Sequence, residues 1–410
     1  MLDVLKILLV FAAILVLLRL KWNVGYVLAA ASGLLAVLYA MPLSAVLSTL
    51  SSTVTDPTSV KLFFALTLIR MFEMILREKQ VMARMTEASR TLLKRKKPVI
   101  VSMPLLIGML PSLGGAYFSA PMVEESTRGL KMTPEEKGFI NYWFRHPWEC
   151  VLPLYPGILL ASAITKIELR SFILANMVYA LLIVTTGFLF SMRRLESRKA
   201  AAPPPQPATE RRQEEGEEAS LWKQGVSFLP VTLVLLLVIV LRVELQYALG
   251  LTLLLLFAYY RMGRKELFGI FRYGFARDVI VLIFGVMLFK FAMENSGAVL
   301  GLSRSFTEEG IPLLPVLVLL PFAGGLLTGH TLGFVGSSFP LLVSITGGAH
   351  LNQMTLAFAS GFLGVLLSPV HLCLVLTREY FKADAWGIYK RVIPASCIIM
   401  AAAFIEYFLL

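Results

Sequence analysis

The chain has 410 residues, of which 57% are hydrophobic and 16% are charged, and its formal net charge is +12. This composition excludes a soluble globular domain, because many apolar runs are long enough to cross a bilayer as helices. The positive charge does not indicate a nucleic-acid partner, since the basic residues are concentrated in alternate loops, as in membrane proteins. We therefore predict an all-α polytopic membrane protein.

Ten apolar runs are predicted to be membrane-spanning helices, five in each half of the chain. In chain order they cover 4–20, 25–41, 58–76, 138–165, 169–192, 226–242, 245–261, 278–295, 354–377 and 393–410. The first run is interpreted as a retained helix, because it lacks the small-residue cleavage site of a signal peptide. Two less apolar stretches, 43–56 and 263–276, are predicted to be amphipathic helices at the membrane surface.

Two further apolar segments, 98–130 and 311–345, are too long for a single span and contain Pro and Gly that interrupt a helix. Their centres carry two similar sequences, Ser112-Leu-Gly-Gly-Ala-Tyr-Phe-Ser-Ala-Pro121 and Thr331-Leu-Gly-Phe-Val-Gly-Ser-Ser-Phe-Pro340. A short polar interruption at corresponding positions of two halves is typical of the binding site of a transporter. We therefore predict that the two sequences form the tips of hairpins.

Lysine and arginine are divided unevenly between two alternating sets of loops. The basic set is 19–24, 77–98, 128–137, 193–224, 261–277 and 378–391, and the other set is 42–57, 166–170, 242–245, 295–310 and 346–353. The first set contains 29 of these residues and the second contains four, so the first is predicted to be cytoplasmic and both termini extracytoplasmic. Segments 98–130 and 311–345 then each start and end on one side, from opposite faces, which makes both re-entrant hairpins.

The two halves of the chain are predicted to be inverted-topology repeats, because corresponding helices recur at an offset of about 220 residues and each half has an odd number of spans. The N-terminal repeat is residues 1–192 and the C-terminal repeat is residues 226–410. Between them, 193–225 is rich in proline and charge and cannot bury apolar surface, so it is predicted to be a flexible cytoplasmic linker.

Four short motifs give the chain a resemblance to a known group of transporters. They are Leu110-Pro-Ser-Leu-Gly-Gly115, Phe144-Arg-His-Pro-Trp-Glu149, Thr328-Gly-His-Thr331 and Ser368-Pro-Val-His371. With the order of helices and hairpins around them, they resemble the ion transporter superfamily, which includes divalent anion:sodium symporters, citrate carriers and gluconate permeases. More narrowly, the chain is similar to a bacterial and archaeal branch known only as a domain of unknown function. It lacks the Ser-Asn-Thr signature of the divalent-anion symporters at either hairpin.

What the resemblance implies is a homodimer in a prokaryotic cytoplasmic membrane that works as an elevator. Helices of the regions 25–76 and 245–295 would form a scaffold, and the hairpins with the helices that follow them would carry the solute across. The lipid bilayer and a small solute are then the expected partners besides the second copy of the chain.

The hairpin tips are predicted to bind the solute through backbone N–H groups, small hydroxyls and one aromatic ring. The residues are Ser112, Gly114, Gly115, Tyr117 and Ser119 in the first hairpin and Thr331, Gly333, Ser337 and Ser338 in the second. A bound sodium ion near Gly114 and Gly333 is a further expectation. The alternative is that these small residues only pack membrane helices closely.

The two predicted spans with a central proline bring polar side chains to mid-membrane depth. His146, Glu149 and His371 are ionisable there, which is costly and therefore typical of function. Glu149, with His146 or His371, is predicted to couple transport to protons, and Ser368 is included in the coupling-ion site. The alternative is a structural proline kink in which His and Glu satisfy each other.

Arg145 and His330 place positive charge beside the tips, which favours an anionic solute. The alternative for Arg145 is an ion pair with Glu149, which lies one turn further on if the helix continues. His146 and His371 are also included in the predicted solute site.

The predicted function is secondary active transport of a small, carboxylate-type anion, coupled to H⁺ or Na⁺. The alternatives are an intramembrane enzyme or lipid-handling protein that uses His146, Glu149 and His371, and an anion channel. An enzyme is not expected, because the catalytic signatures GxSxG and HExxH are absent from the sequence.

Metal and cofactor binding are not indicated by the sequence. The three cysteines, Cys150, Cys373 and Cys397, lie in apolar segments without the CxxC spacing of a zinc site or the pattern of a disulfide framework. They are interpreted as helix-packing residues, and no cofactor or resident metal is expected.

Overall fold

The computed structural model of the chain describes residues 2–92, 96–111, 115–191, 226–302, 310 and 312–409, and all regular structure in these ranges is helical. In the first half the helices are α1 (Leu2–Arg19), α2 (Val24–Leu38), α3 (Leu43–Thr55), α4 (Pro57–Glu78), α5 (Val81–Leu92), α6 (Lys96–Gly108), α7 (Gly115–Ser126), α8 (Pro134–Trp143), α9 (Pro147–Val151), α10 (Pro156–Thr165) and α11 (Leu169–Ser191). In the second half, the helices whose full extent is described are α12 (Val226–Val240), α13 (Leu245–Tyr259), α14 (Arg264–Gly274), α15 (Arg277–Asn295), α16 (Leu313–Thr328), α17 (Thr331–Ile345), α18 (Leu351–Leu367), α19 (Leu372–Phe381) and α20 (Ala385–Leu409). The predicted linker, 193–225, lies outside the described residues.

Four helical stretches of the described chain are long and apolar enough to cross a membrane. They are Pro134–Thr165, Leu169–Ser191, Leu351–Phe381 and Ala385–Leu409. The shorter apolar helices are Val24–Leu38, Leu43–Thr55, Lys97–Gly108, Val226–Val240, Leu245–Tyr259, Leu313–Thr328 and Thr331–Ile345. Together these elements give the chain the character of a helical membrane protein. The sequence predicts ten membrane-spanning helices, whereas helix length and composition identify four in the described chain.

Two helix boundaries differ from the sequence prediction. The predicted loop 77–98 contains α5, which buries an apolar face although it is rich in polar residues. The final helix begins at Ala385 and not at residue 393, because Asp384 accepts a hydrogen bond of 2.8 Å from the Gly387 N–H. Charged residues in or beside each helix hide these boundaries from a prediction based on hydropathy.

The fourth predicted span of each half is an interrupted helix. The first consists of α8, α9 and α10, with breaks at 144–146 and 152–155. Pro147 and Pro156 stand in the first turns after these breaks, where a proline removes no helical hydrogen bond. The second consists of α18 and α19, with one break at 368–371. Each break exposes backbone polar groups inside an apolar segment, and these groups need partners from elsewhere in the protein.

Each segment predicted as a hairpin is a pair of packed helices, α6 with α7 and α16 with α17. The described parts of the two similar ten-residue sequences are helical and are not turns between these helices, whereas the sequence predicts hairpin tips there; residues 112–114 lie outside the described residues. From residue 115 onward the first sequence lies in α7, and the whole of the second lies in α17. The turn of the second hairpin is Gly329 and His330, immediately before the similar sequence.

The helices pack in two groups. The first group is formed by α2, α3, α4, α13, α14 and α15, with α15 against α2 and with α13 and α14 against α4. The second group contains the two hairpins, the interrupted helices, α11 and α20. Contacts of α10 with α4, and of α17 with α2 and α15, join the groups. The breaks therefore lie within the second group.

Helices α16 and α18 approach each other until their backbones touch. A Cβ atom built on Gly325 would fall on the Gly361 carbonyl oxygen, and one built on Gly364 would fall on the Phe322 carbonyl oxygen. Only glycine fits at positions 325 and 364 without moving a backbone. The contact holds the second hairpin directly against the interrupted segment that contains the break at 368–371.

Candidate functional site

The first hairpin is fixed to the first interrupted segment by two aromatic side chains. The Trp148 indole N–H donates a hydrogen bond of 2.7 Å to the Leu105 carbonyl oxygen of α6. The Tyr155 hydroxyl, from the break at 152–155, donates to the carbonyl oxygen of Gly108 at the end of α6. These bonds satisfy carbonyl groups near the end of α6 that would otherwise be left without partners.

The turn of the second hairpin touches both interrupted segments. A Cβ atom built on Gly157 of α10 would lie 2.7 Å from the Thr331 Cβ, and one built on Gly329 would lie 2.9 Å from the His371 backbone nitrogen. Gly329 has a φ of +67°, which glycine adopts without strain. Both halves of the chain therefore contribute to one region around the breaks.

Two buried histidines, one from each half, lie side by side in this region. His146 Nε2 and His371 Nε2 are 3.0 Å apart. His146 Nδ1 is 2.6 Å from the Tyr142 carbonyl oxygen, and His371 Nδ1 is 2.5 Å from the Gly329 carbonyl oxygen. Because a carbonyl oxygen can only accept, both Nδ1 atoms carry the ring hydrogen. In their neutral forms the two rings therefore point the lone pairs of Nε2 at each other.

A thiol and a carboxylate flank the histidine pair. The Cys373 sulfur and one ring nitrogen of each histidine lie within 4.8 Å of one another. Glu149 Oε1 is 3.8 Å from His146 Nε2, and the Glu149 side chain is only 13% exposed. We refer to His146, Glu149, His371 and Cys373 as the central cluster. Its members come from the α8–α9 break, α9, the break at 368–371 and α19.

Arg145 is buried in the break at 144–146, next in sequence to His146 of the central cluster. Its Nε and Nη1 atoms have no hydrogen-bond partner. The alternative pairing with Glu149 required a continuous helix, but the helix is interrupted between the two residues, and Glu149 Oε1 lies beside His146. In the described chain no ion pair joins Arg145 to Glu149. A buried guanidinium with two unpaired N–H donors is costly, and a negatively charged ligand that accepts from it would lower that cost.

His330 has the opposite ring tautomer to the histidine pair. It is exposed, and it caps α17 by accepting a hydrogen bond of 2.9 Å at Nδ1 from the Gly333 N–H. The ring hydrogen of neutral His330 is therefore on Nε2, where it is free to be donated. Gly333, predicted to lie near a sodium ion, thus uses its N–H to hold His330, and Thr331 begins α17 beside it.

The predicted serines of the second half donate their hydroxyl hydrogens to backbone carbonyls. Ser337 and Ser338 each donate to a carbonyl oxygen one turn earlier in α17. Ser368 donates a hydrogen bond of 2.7 Å to the Leu326 carbonyl oxygen of α16. All three residues are fully buried. This placement agrees with the packing alternative for these hydroxyls.

Ser119 of the first hairpin belongs to a buried network centred on Asn141. The Ser119 hydroxyl donates a hydrogen bond of 2.7 Å to Asn141 Oδ1, while Asn141 Nδ2 donates to the Ala116 carbonyl oxygen at 3.0 Å and to Thr377 Oγ1 at 2.9 Å. The amide therefore joins α7, α8 and α19. The structure thus assigns Ser119 to the contact between the first hairpin and both interrupted segments.

Tyr117 and Gly115, two other predicted residues of the first hairpin, do not join the central cluster. Tyr117 is 52% exposed, and its ring contacts that of Tyr380 edge-on at a centroid distance of 5.8 Å. Gly115 is buried at the start of α7. Ser112 and Gly114 lie outside the described residues, and so does the sodium position predicted beside Gly114.

Two residues of this region, Cys373 and Asn141, are absent from the predicted site. Cys373 has a weak sequence signal, its place two residues after His371, and was interpreted as a packing residue. Asn141 is an amide inside an apolar helix, which is a usable signal because such groups need partners there. The sequence does not indicate which side chains contact Cys373 or Asn141.

The fold and the site define a class, a helical membrane protein with ionisable side chains buried in its interior. The chain belongs to the family described as "Protein of unknown function (DUF401)", whose family model matches residues 2–410. No curated protein matches the chain significantly. The family match confirms the narrower resemblance, that to a branch of unknown function. It does not extend to the ion transporter superfamily.

Proposed function

We propose that the protein is a secondary active transporter for a small, carboxylate-type anion. The observation that carries this proposal is the buried Arg145 guanidinium, whose Nε and Nη1 have no hydrogen-bond partner. These two donors belong to a planar group that matches the two oxygens of a carboxylate. Nε and Nη1 lie on different edges of the guanidinium, each edge shared with Nη2. A solute carboxylate bound along either edge would therefore accept from one of the two donors that the protein leaves unpaired.

A second donor on the same region supports an anion. His330 Nε2–H is exposed and stands at the N-terminus of α17, where the helix dipole favours negative charge. Gly329, beside it, packs on His371, which in turn contacts His146 next to Arg145. A chain of contacts thus links the two donors, one from each half, which supports a carrier whose solute lies between two repeats.

The proposal includes the architecture of the ion transporter superfamily, with inverted-topology repeats, re-entrant hairpins, a homodimeric scaffold and an elevator movement. The similar spacing of the halves supports it, since α2 and α13, α4 and α15, and α11 and α20 begin about 220 residues apart. The packing of the helices in two groups also supports it, because the first group contains the predicted scaffold and the second contains the breaks. Coupling to H⁺ or Na⁺, a cytoplasmic membrane location and a cytoplasmic linker complete the proposal.

The test is counterflow in proteoliposomes that contain the purified full-length protein. Vesicles loaded with an unlabelled mono-, di- or tricarboxylate should transiently accumulate the labelled form of the same compound, because only alternating access exchanges the two. An anion channel would let the label equilibrate without accumulation, and an intramembrane enzyme would convert it or leave it outside.

Arg145→Gln should abolish this counterflow. The matched control is Arg170→Gln, because the Arg170 Nε is already satisfied by a hydrogen bond of 3.0 Å to the Ile239 carbonyl oxygen, outside the breaks. Undiminished counterflow in the Arg145→Gln protein, or equal losses in both variants, would overturn the assignment of Arg145 to the solute.

A further inference from the structure

We propose that His146, His371 and Cys373 form a binding site for a thiophilic divalent transition-metal ion, represented by Zn²⁺, with Glu149 as the fourth ligand. One ring nitrogen of each histidine and the Cys373 sulfur lie within 4.8 Å of one another. Imidazole nitrogen, thiolate sulfur and carboxylate oxygen are the three ligand types of zinc sites in proteins. The inference goes beyond the transport proposal and does not depend on it.

The outer hydrogen bonds of the two histidines have the form found around metal sites. A histidine that binds a metal through one nitrogen usually donates its other N–H to a carbonyl or carboxylate oxygen, which fixes the tautomer and the ring orientation. Nδ1 of His146 and of His371 each lies against a backbone carbonyl oxygen, of Tyr142 and Gly329 respectively. Both Nε2 lone pairs are therefore preset to bind a cation.

The distance between the two Nε2 atoms requires a positive charge between them. At 3.0 Å, two nitrogen lone pairs without an intervening hydrogen repel each other. Zinc–nitrogen bonds of roughly 2.0–2.1 Å in a tetrahedral site place two nitrogens about 3.3 Å apart. A movement of a few tenths of an ångström would therefore bring the two nitrogens to the spacing of a zinc site. The Cys373 sulfur, within 4.8 Å of them, and the Glu149 carboxylate, 3.8 Å from His146 Nε2, would complete the site by side-chain rotation towards the ion.

The charges around the site allow a divalent cation and limit its ligand set. A Cys373 thiolate and a Glu149 carboxylate together balance two positive charges, while the neighbouring Arg145 opposes the cation. His330 is excluded as a ligand in its present tautomer, since its Nδ1 lone pair already accepts from the Gly333 N–H. Among the described histidines near the breaks, His146 and His371 are therefore available as metal ligands, and His330 is not.

The experiment is a titration of chelator-washed, full-length protein in detergent with Co²⁺, a spectroscopic substitute for Zn²⁺. One equivalent should produce the intense visible bands of tetrahedral Co²⁺ and a thiolate-to-cobalt charge-transfer band in the near ultraviolet. Zn²⁺ should displace the Co²⁺ and remove both signals. Cys373→Ser should lose the charge-transfer band, and His146→Ala and His371→Ala should each weaken Zn²⁺ binding at least about tenfold, as loss of even a supporting group does.

The matched controls are Cys150→Ser and Cys397→Ser, which remove the other two cysteines and should leave the spectrum unchanged. Size-exclusion profiles verify that each variant is folded, and the mild Cys373→Ser change keeps the test valid if a histidine variant fails to fold.

An absence of tetrahedral bands in the wild type, the result expected if a single proton bridges the two imidazoles, would overturn the proposal. A charge-transfer band that survives in the Cys373→Ser protein would do the same. Because no solute is present, failure here leaves the anion-transport proposal intact, and loss of counterflow leaves the metal proposal intact.

Discussion

The breaks of the two interrupted segments differ in what they leave without partners. In the second half, the Ser368 hydroxyl and His371 Nδ1 both bind backbone carbonyl oxygens of the second hairpin. In the first half, His146 Nδ1 binds the Tyr142 carbonyl oxygen of its own segment, and Arg145 beside it keeps two buried donors unpaired. Two segments at corresponding positions thus have different roles. The break at 368–371 bonds its own hairpin through both residues, whereas the break at 144–146 keeps two donors without a partner.

This difference shows that similarity between the halves extends to the backbone interruption but not to the chemistry placed on it. A proline interrupts both segments, and a histidine from each reaches the same point. The positive charge comes from the first half at Arg145, whereas the second half supplies the exposed N–H of His330. A site built between two halves does not require the same side chains from each.

Replacing Arg145 with lysine should have the largest effect, because it keeps the charge but removes the planar pair of donors. A lost hydrogen bond to a charged group costs roughly 1.5–3 kcal/mol, so we expect solute affinity in proteoliposomes to fall at least about tenfold. The measurement is the concentration dependence of counterflow. Full solute affinity in the Arg145→Lys protein would mean that the solute does not use the paired N–H donors of the guanidinium. The two breaks would then differ only in the positive charge at Arg145.

Replacing Ser368 with alanine should have an intermediate effect, confined to stability. The variant removes the hydrogen bond to the Leu326 carbonyl oxygen, which is worth about 1 kcal/mol of unfolding free energy. Thermal unfolding in detergent should show a lower midpoint, while counterflow stays within about twofold of the wild type. If Ser368→Ala lost transport as completely as the Arg145 variants, the second break would also be a binding position.

Replacing Glu266 with glutamine should have the smallest effect and supplies a reference in the first group of helices, which does not contain the breaks. Glu266 accepts a hydrogen bond of 2.9 Å from Lys79, and this bond holds the pKa of the Glu266 carboxyl below its usual value. A lowered pKa means that the stabilisation is present above the ordinary glutamate pKa and is lost as the pH falls through the value in the folded state. The small difference in unfolding midpoint between wild type and Glu266→Gln should therefore exist at neutral pH and vanish in acid. A constant difference across this range would assign the effect to packing.

Much of the helical organisation could be predicted from the sequence because apolar runs and prolines act locally. The interruption beside Pro147 and the helical hairpins follow from such local signals. The helical state of 115–121 and 331–340 does not, since small polar residues suit both a turn and a tightly packed helix. The second break, at 152–155, is not predicted either, although Pro153 and Pro156 are local signals for it. Hydropathy also predicts too long a loop between α19 and α20, 378–391, whereas only residues 382–384 separate the two helices and Asp384 acts as a cap.

The candidate site was predicted in part, and its missing members have a physical explanation. His146, Glu149 and His371 were indicated because ionisable groups are costly in apolar segments. Their mutual geometry depends on a contact between residues 225 positions apart and on two backbone carbonyl oxygens that fix the ring hydrogens. Cys373 carries no charge and fits an apolar helix as well as any small residue does, so composition alone does not distinguish it.

The glycine contacts between α16 and α18 have a mechanical consequence. Where Gly325 and Gly364 bring two backbones together, no layer of side chains remains that could slip or change rotamer to absorb relative motion. We therefore expect α16 and α18 to move together as one rigid body. His330 follows shortly after the end of α16, and His371 follows shortly after the end of α18. An alanine methyl at position 325 or 364 would push the two helices apart. It would thereby displace the two histidines without contacting either of them.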